Sequence, residues 1–573
     1  MEEGDSSALD ETAVAATQAA DIIWVFFCLV LVTLMQPGFA CYEVGAISKT
    51  TSIRPILLKN IGDASVSLVA WMCIGYAIAS GKDSGGLVGT SYFGLTGDPF
   101  AETPEQSPAM GFLGCLYQWS FAAACTTIVS GAVADRIPFA AYIIYASLTS
   151  AFFYPLLAHW VWADEGWASA ANSNPALGCG VIDFAGSGVV HMLGGVIALW
   201  IAEVVGPRPG RFFGAKQRAY HPTRGGPNLT NHSRLSQLQE KGFEPNDMAW
   251  MTLGCFLLWV GWYGFNCGST LQISTPESQR AAGRAAMNTT VAAGKSFGCI
   301  FSMMIERVYH IWSPSYRRGD DIEDPLHAQA NKNVKLDAQT LRKIRNQQDA
   351  DDRRDHWWQK FTWPYSTHKN YHGAAVNGIL AGLVGVTAGC ATMSYHSAVW
   401  VSFVSALLYH MFYRFFLCCT IDDAVGAGAV HFICGAWGLI AAGLTATDKN
   451  ARLDAGYPSE EECSWHSQAQ INSAMMAIIL VYGFVCALFI TAIIKGLQLL
   501  ELIDDPQTTL KSDDEDYGTR IAKLEKRLDK IDLTRETPNP NSTTADEKTS
   551  EAYSTDVDAK PVVQEREAGR LPV

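Results

Sequence analysis

Asp183-Phe-Ala-Gly186-Ser-Gly188-Val-Val190-His191-Met-Leu-Gly-Gly195 and Asp423-Ala-Val-Gly426-Ala-Gly428-Ala-Val430-His431-Phe-Ile-Cys-Gly435 are two copies of one pattern. Asp, Gly, Gly, Val, His and Gly keep the same spacing in both, and each copy places a histidine inside an apolar run. An ionisable group within a membrane span costs about 3 kcal/mol on insertion scales, so it marks function by default. Two such groups at matched positions point to a transporter or channel whose site is shared between two halves.

Outward from these runs, the chain of 573 residues is 49% hydrophobic and 17% charged. Apolar segments of about 20 residues, enough to cross a ~30 Å hydrocarbon core, recur from Asp21 to Leu500. The pattern predicts eleven spans, at 21–48, 61–80, 109–132, 138–161, 183–205, 248–268, 283–308, 372–391, 394–416, 424–446 and 469–499. A large soluble helical protein is excluded, because these helices lack the charged faces that water requires. The net charge of −14 is less telling than its distribution. Lys49, Arg54 and Lys59 follow span 1; Arg208, Arg211, Lys216, Arg218 and Arg224 follow span 5; Arg317, Arg318, Lys335, Arg342, Lys343, Arg353 and Arg354 follow span 7. The loop 162–182 has no basic residue, and 81–108 has only Lys82. The positive-inside rule therefore expects the N-terminus outside and the C-terminus inside, which an odd span count allows.

A second internal match extends the first. Trp24 stands fourteen residues before Gly38-Phe-Ala-Cys41, and Trp250 fourteen before Gly264-Phe-Asn-Cys267. Span 1 thus resembles span 6 as span 5 resembles span 10. Five spans per half invert the second copy, so the expected fold is an all-α polytopic membrane protein with an inverted 5+5 repeat plus one helix. His191 and His431 each lie eight residues into their span, about 12 Å at 1.5 Å per residue, and arrive from opposite faces. Both imidazoles are expected near the midplane, with glycines around them permitting close helix approach.

The expected domains are a short acidic extracellular N-terminus (1–20), a membrane domain (21–500) with cytosolic loops at 206–246 and 309–370, and a cytosolic tail (501–573). In the tail, Ile521, Leu524, Leu528 and Ile531 fit either a short coiled coil or an amphipathic helix, and the stretch from Thr537 reads as disordered. The acidic N-terminus lacks a basic n-region, so span 1 is expected to be retained. Cys179 and Cys463 fall in predicted outside loops, where they either pair or stay as two thiols. The sequons at Asn228, Asn231 and Asn541 fall on the predicted inside and are expected to stay unmodified. No CxxC pair or zinc spacing occurs, and no metal or cofactor is expected.

Two neutral imidazoles in contact can share one proton, pass a proton, or hydrogen-bond a small polar solute in an apolar conduit. Tyr117 and Phe121 share a helix face at i, i+4; Phe265 sits in the run Trp262-Tyr-Gly-Phe-Asn-Cys-Gly-Ser269; Trp162 ends span 4 at the outer surface. Such rings fill cores or interfacial belts, or, at a pore mouth, attract a cation by about 1–2 kcal/mol. Ser269 adds a hydroxyl acceptor there.

The run 183–191 resembles the signature of the ammonium transporter (Amt/Mep) family, relatives of the Rhesus proteins. The stretches Trp262–Ser269, Ala374–Thr387 and Asp422–Gly435 match that family in the same order. The resemblance covers about residues 21–500 and implies an eleven-span fold and a homotrimer with one pore per subunit. It also implies passage of ammonium or ammonia, no enzymatic activity and no nucleic-acid partner. Carried over residue by residue, it implies that Trp162, Phe121 and Ser269 recruit ammonium ion outside and that Phe121 and Phe265 form a stacked gate. His191 and His431 become twin pore histidines, Asp183 a structural carboxylate and Thr387 a pore-lining threonine. Gly426 stands where many members carry an acidic residue. The tail lacks a clear copy of the family's Gly-Leu-Asp…His-Gly run, with only a trace at Asp532-Leu-Thr-Arg535, so regulation of the loops or tail by a cytosolic partner is an open expectation. The plasma membrane is the expected location. The alternatives are an ammonium sensor that signals through its tail and a Rhesus-like gas channel. An intramembrane metalloenzyme lacks a third ligand or a nucleophile motif.

Overall fold

A computed structural model describes residues 3–48, 53–101, 109–134, 136–208, 211, 245–293, 297–312, 371–459 and 461–499. Most of the expected cytosolic loops, the whole tail with its Ile521–Ile531 pattern, and the three sequons lie outside these residues.

Helix α1 (Glu3–Thr33) starts well before the expected boundary at Asp21 and is followed by α2 (Met35–Ala46). The interruption at Leu34 has a local cause: Pro37 has no N–H to give the Thr33 carbonyl. Next come α3 (Ile53–Ala70) and α4 (Tyr76–Ser80), joined through a π-turn at Trp71–Gly75. A hairpin of two short antiparallel strands follows, β1 (Asp83–Ser84) and β2 (Val88–Gly89), with Asp83 opposite Gly89. Then α5 (Ala109–Ala132) leads to α6 (Phe139–Leu148) and α7 (Tyr154–Trp162), joined by a π-turn at Thr149–Phe153. The first half closes with a π-turn at Ser187–Met192 running into α8 (Leu193–Val205).

The second half begins with α9 (Met248–Gly268), α10 (Pro276–Ala293), α11 (Phe297–Trp312), α12 (Tyr371–Thr387) and α13 (Tyr395–Cys418). A π-turn at Gly428–Ile433 runs into α14 (Cys434–Thr445), and α15 (Lys449–Asp454) and the long α16 (Trp465–Leu499) complete it. Among the described residues, nine helices are long and apolar enough to cross a membrane, and the apolar helix His372–Thr387 is shorter. The chain is an integral, multi-pass membrane protein.

The expected span 283–308 departs from this pattern. Its first part belongs to α10, a helix that is not apolar overall. Polar groups of α10 find partners within the protein instead: Arg284 Nη2 meets Asp454 Oδ2 at 2.7 Å, and Asn288 Nδ2 donates to the Cys390 carbonyl at 2.7 Å. A hydropathy window cannot register such internal partners.

The repeat is visible as reciprocal packing. A side chain on Gly195 would strike the backbone of Phe432, beside His431; one on Gly435 would strike the Ser187 carbonyl and the Met192 amide, beside His191. Each histidine-bearing turn therefore rests on the glycine of the other copy. Spans 1 and 6 are matched in the same way, with Gly254 against Tyr42 and Gly264 against Cys28 and Leu31. Without a hydrophobic drive between helices in lipid, such small-residue contacts supply close van der Waals packing.

Two networks tie the ends. On one face, Trp162, the β1–β2 hairpin and the 163–186 segment lie together: Trp160 Nε1 donates to the Leu87 carbonyl at 2.8 Å and Trp167 N to that of Gly86 at 3.1 Å. Cys179 and Cys463 are joined in a disulfide on this face, which resolves the alternative left open by the sequence. On the other face, Asp422 accepts from Arg208 Nε and Nη2, both at 2.8 Å, and lies 3.6 Å from Arg136 Nη1. Burial works against the Asp422 charge, yet the hydrogen bonds and charge of Arg208 and the charge of Arg136 hold its carboxyl well below the usual carboxylate range.

Candidate functional site

Each histidine is aimed by a capped turn. Asp183 Oδ1 accepts from Gly186 N at 3.1 Å, and its Oδ2 from Gly188 N and Val189 N at 3.0 and 2.9 Å. In the other copy, Asp423 accepts from Gly426 N at 3.1 Å, Ala427 N at 2.9 Å and Gly428 N at 2.6 Å. These carboxylates satisfy N–H groups that the start of any helix leaves orphaned, and they meet the positive end of its dipole. Gly186 and Gly426 sit at φ +96° and +80°, where a side chain is strained. That backbone conformation suits the glycine at 426. The histidines follow within π-turns, which occur often at functional sites.

The turns bring together rings that are far apart in sequence. His191 Nδ1 and His431 Nδ1 are 3.3 Å apart, across 240 residues. The rings stack at 5.2 Å between centroids, and both side chains are buried. Outward from them, His191 lies 5.5 Å from Phe265, Phe265 stacks on Phe121 at 3.9 Å, and Phe121 meets Trp162 edge-on at 6.1 Å. A continuous column of rings thus runs from Trp162 to the paired imidazoles. On the opposite side of the histidines lies a small cavity of about 20 Å³, lined by His431, Val430, Tyr42, Asn377, Glu43 and Thr127 among others.

Supporting contacts fix the column. Trp162 Nε1 donates to the Asp183 carbonyl at 2.8 Å, so that residue both caps the His191 turn and holds the outermost ring. Tyr117 donates to the Gly264 carbonyl at 2.9 Å, and Ser269 Oγ donates to that of Phe265 at 2.9 Å. Both hydroxyls therefore brace the end of α9 beside the stacked phenylalanines, and Ser269 is half-buried.

The chain has the sequence of a known group as well as its architecture. The sequence model of the Ammonium Transporter Family matches residues 23–224, 229–312 and 362–520. The chain belongs to the ammonium transporter family. Relatives include ammonium transporter 1 member 1 of Solanum lycopersicum, 32% identical over 424 residues (73% of this chain and 68% of that protein). Ammonium transporter Amt2 of Archaeoglobus fulgidus is 30% identical over 428 residues (74% of this chain, 71% of that protein). Among solved structures, one described as a sensor Amt protein aligns with a TM-score of 0.59 at 23% identity, over 84% of this chain and 94% of that one. Candida albicans Mep2 aligns at 0.58 and 21% identity, over 84% and 85%.

In this transporter-family chain, two contributors to the column are missing from the sequence-derived site. Trp262 stacks on His191 at 5.0 Å with the planes 18° apart, and its Nε1 donates to Thr387 Oγ1 at 2.9 Å. Thr387 thus reaches His191 through an indole. Trp262 lay inside a quoted motif, but motif membership does not reveal which ring a side chain faces. Asp423 is the second, and its signal was the repeat itself: whatever Asp183 does for one turn, its copy does for the other. Among the described residues, no group of three or more His, Cys, Asp or Glu is placed to hold a metal.

Proposed function

We propose that this chain conducts ammonium nitrogen across the plasma membrane by taking ammonium ion at the Trp162–Phe121–Ser269 mouth, stripping its proton and passing ammonia by His191 and His431. The observation that carries this reading is the imidazole pair, 3.3 Å apart and sealed from the outer face by the Phe121–Phe265 stack. An Nδ1 to Nδ1 contact needs one nitrogen to donate and the other to accept, which two neutral rings do. His191 Nε2 is buried with no hydrogen-bond partner among the described residues, leaving a polar atom for a small solute.

Selection then follows from what each ion can surrender. Potassium and ammonium match in charge and nearly in size, so a charged filter passes both. A dry aromatic path makes any permanent charge costly. Ammonium escapes that cost by giving up a proton, whereas potassium has none to give. At the mouth, π faces hold the cation by about 1–2 kcal/mol before it commits. The stack must swing open for each passage, a side-chain motion far faster than domain movement.

The same reading makes the protein a transporter rather than an enzyme, with the membrane domain at 21–500 and the tail at 501–573 as a separate cytosolic segment. It assembles as a homotrimer, and a cytosolic regulator of the loops or tail is its partner besides lipid. The N-terminus is outside and the C-terminus inside; the Cys179–Cys463 disulfide supports this, because such bonds persist in oxidising compartments. The test is His191→Ala and His431→Ala in a host that depends on ammonium uptake, with potassium permeability measured alongside. The expected outcome is loss of uptake or of potassium exclusion. Unchanged uptake together with unchanged exclusion removes the histidines from the mechanism.

A further inference from the structure

A buried histidine stands three residues before Trp162, and both of its ring nitrogens face oxygen. His159, on α7, is 0% exposed. Its Nδ1 lies 3.0 Å from the Ala79 carbonyl on α4, and its Nε2 lies 2.9 Å from Asp83 Oδ1 on β1. Asp83 also accepts from Gly86 N, at 2.9 and 3.0 Å to its two oxygens. No step of the proposed conduction uses this pair.

The hydrogens decide the charge of the ring. A carbonyl only accepts, so Nδ1 donates to Ala79. The contact between Nε2 and Asp83 needs a hydrogen as well, carried by one partner or the other. Imidazole is a stronger base than carboxylate, so that hydrogen belongs to the ring. His159 is thus an imidazolium clamped between a carboxylate and a carbonyl, and its hydrogen bond holds the Asp83 carboxyl below the usual carboxylate range. A ring with one hydrogen would set a lone pair against oxygen at one of its two contacts. The other titratable groups on elements packed against α7 are Tyr76 of α4, Cys115, Tyr117 and Cys125 of α5, Asp183 and His191 of the first histidine turn, and Tyr482 of α16. Lys82 beside the hairpin and Asp164 and Glu165 beyond the helix are exposed to water. The Asp183 oxygens are taken by backbone N–H groups of its own turn, so among the described residues Asp83 is the anion that holds the ring.

The clamp sets the last turn of α7. Ala163 N closes that turn on the His159 carbonyl at 3.1 Å, and Trp162 lies inside it. The hairpin also holds the neighbouring rings, with Trp160 Nε1 on the Leu87 carbonyl and Trp167 N on that of Gly86. From this turn Trp162 reaches the Asp183 carbonyl and the edge of Phe121. We propose that the His159–Asp83 ion pair positions Trp162 at the mouth, so that loss of the His159 proton weakens the capture of ammonium ion. The inference rests on the ammonium reading above and adds what fixes the mouth. His159 is a positioning residue, because it acts on the cation through Trp162. Its proton passes to water or buffer at Asp83, whose side chain is 14% exposed. The N–H bond breaks and leaves its electron pair on the ring, one contact becomes repulsive, and the α7 turn loosens from the hairpin. Reprotonation restores it. The mouth is whole on the acid side of the His159 titration and slack on the alkaline side.

The test uses the full chain in liposomes, against empty liposomes, with initial flux measured over a range of ammonium-ion concentrations. Inner and outer pH are kept equal and stepped over about pH 5 to 9, which spans ordinary histidine titration. The wild-type KM for ammonium ion should be level in acid and rise with pH. His159→Gln, which offers one donor and one acceptor, should raise KM about tenfold in acid and leave maximal flux within about twofold, the loss of one charge-assisted contact. It should also abolish the rise with pH. Asp83→Asn should move the rise to lower pH by about one unit or more, because the anion that favours the imidazolium is gone. It is the deciding variant if His159→Gln fails to elute as a folded protein. Nitrogen-15 NMR at about pH 6, below the ordinary histidine value, should show an imidazolium in the wild type that His159→Gln lacks. A flat wild-type KM, a wild-type pH profile in either folded variant, or no imidazolium at His159 overturns the proposal. Absence of saturable ammonium flux in the wild type refutes the ammonium reading instead, and the NMR signal then decides the charge of His159.

Discussion

Removing the two capping carboxylates should not be equally harmful, although the repeat makes them equivalent. Asp183→Ala and Asp423→Ala each release three backbone N–H groups from a charged acceptor. Hydrogen bonds to charged groups contribute about 1.5–3 kcal/mol each, and a single cap is commonly worth about 1 kcal/mol, so the loss for three lies near 4 kcal/mol if all stay dry. At Asp183 they do stay dry: Gly188 is packed beneath Ile479 and Leu439, and the residue itself is 1% exposed. At Asp423, Gly426 and Ala427 line the cavity beside His431, where water can replace the lost acceptor for two of the three donors. The expected loss there is about 2 kcal/mol. Thermal denaturation in detergent should therefore rank wild type above Asp423→Ala above Asp183→Ala, with ammonium uptake measured on the same preparations. An Asp423→Ala midpoint as low as that of Asp183→Ala, or lower, would refute the idea that solvent access separates the two turns.

Two further outcomes are expected. Cys179→Ser should cost about 2–5 kcal/mol of stability, and a membrane-impermeant reductant applied to intact cells should open the bond from outside; reduction only after permeabilisation would reverse the proposed orientation. Asp422 has a folded-state pKa below its unfolded value of about 3.9, so its contribution is complete above about pH 4 and is withdrawn as pH falls through the lowered value. Asp422→Asn should flatten that acid limb, and at neutral pH it should cost about 3–5 kcal/mol by stranding the buried Arg208; acid stability curves superimposable on wild type would contradict this.

Much of the architecture was legible because membrane spanning is a local property. A run of apolar residues announces its span without reference to any partner, and the nine long apolar helices coincide with expected ones. The repeat was legible for the same reason, since two copies of one turn need the same Asp, Gly and His at the same spacing. The helix at expected span 7 begins earlier, at Pro276, because Arg284 and Asn288 are held by Asp454 and the Cys390 carbonyl, partners that a hydropathy window does not see. Composition also hid His159, an imidazole in an otherwise apolar helix whose meaning depends on Asp83 of the hairpin.

By itself the sequence determined the class of fold, the duplicated Asp–Gly–His turn and the positions of its two histidines, because each is written in hydropathy or in repeated spacing. Only the tertiary structure decided that those histidines touch, that Trp262 backs one of them, that Cys179 finds Cys463, and that His159 meets Asp83. Such contacts join segments tens to hundreds of residues apart, and their distances are set by how closely glycine-faced helices pack, a quantity no local window of sequence contains.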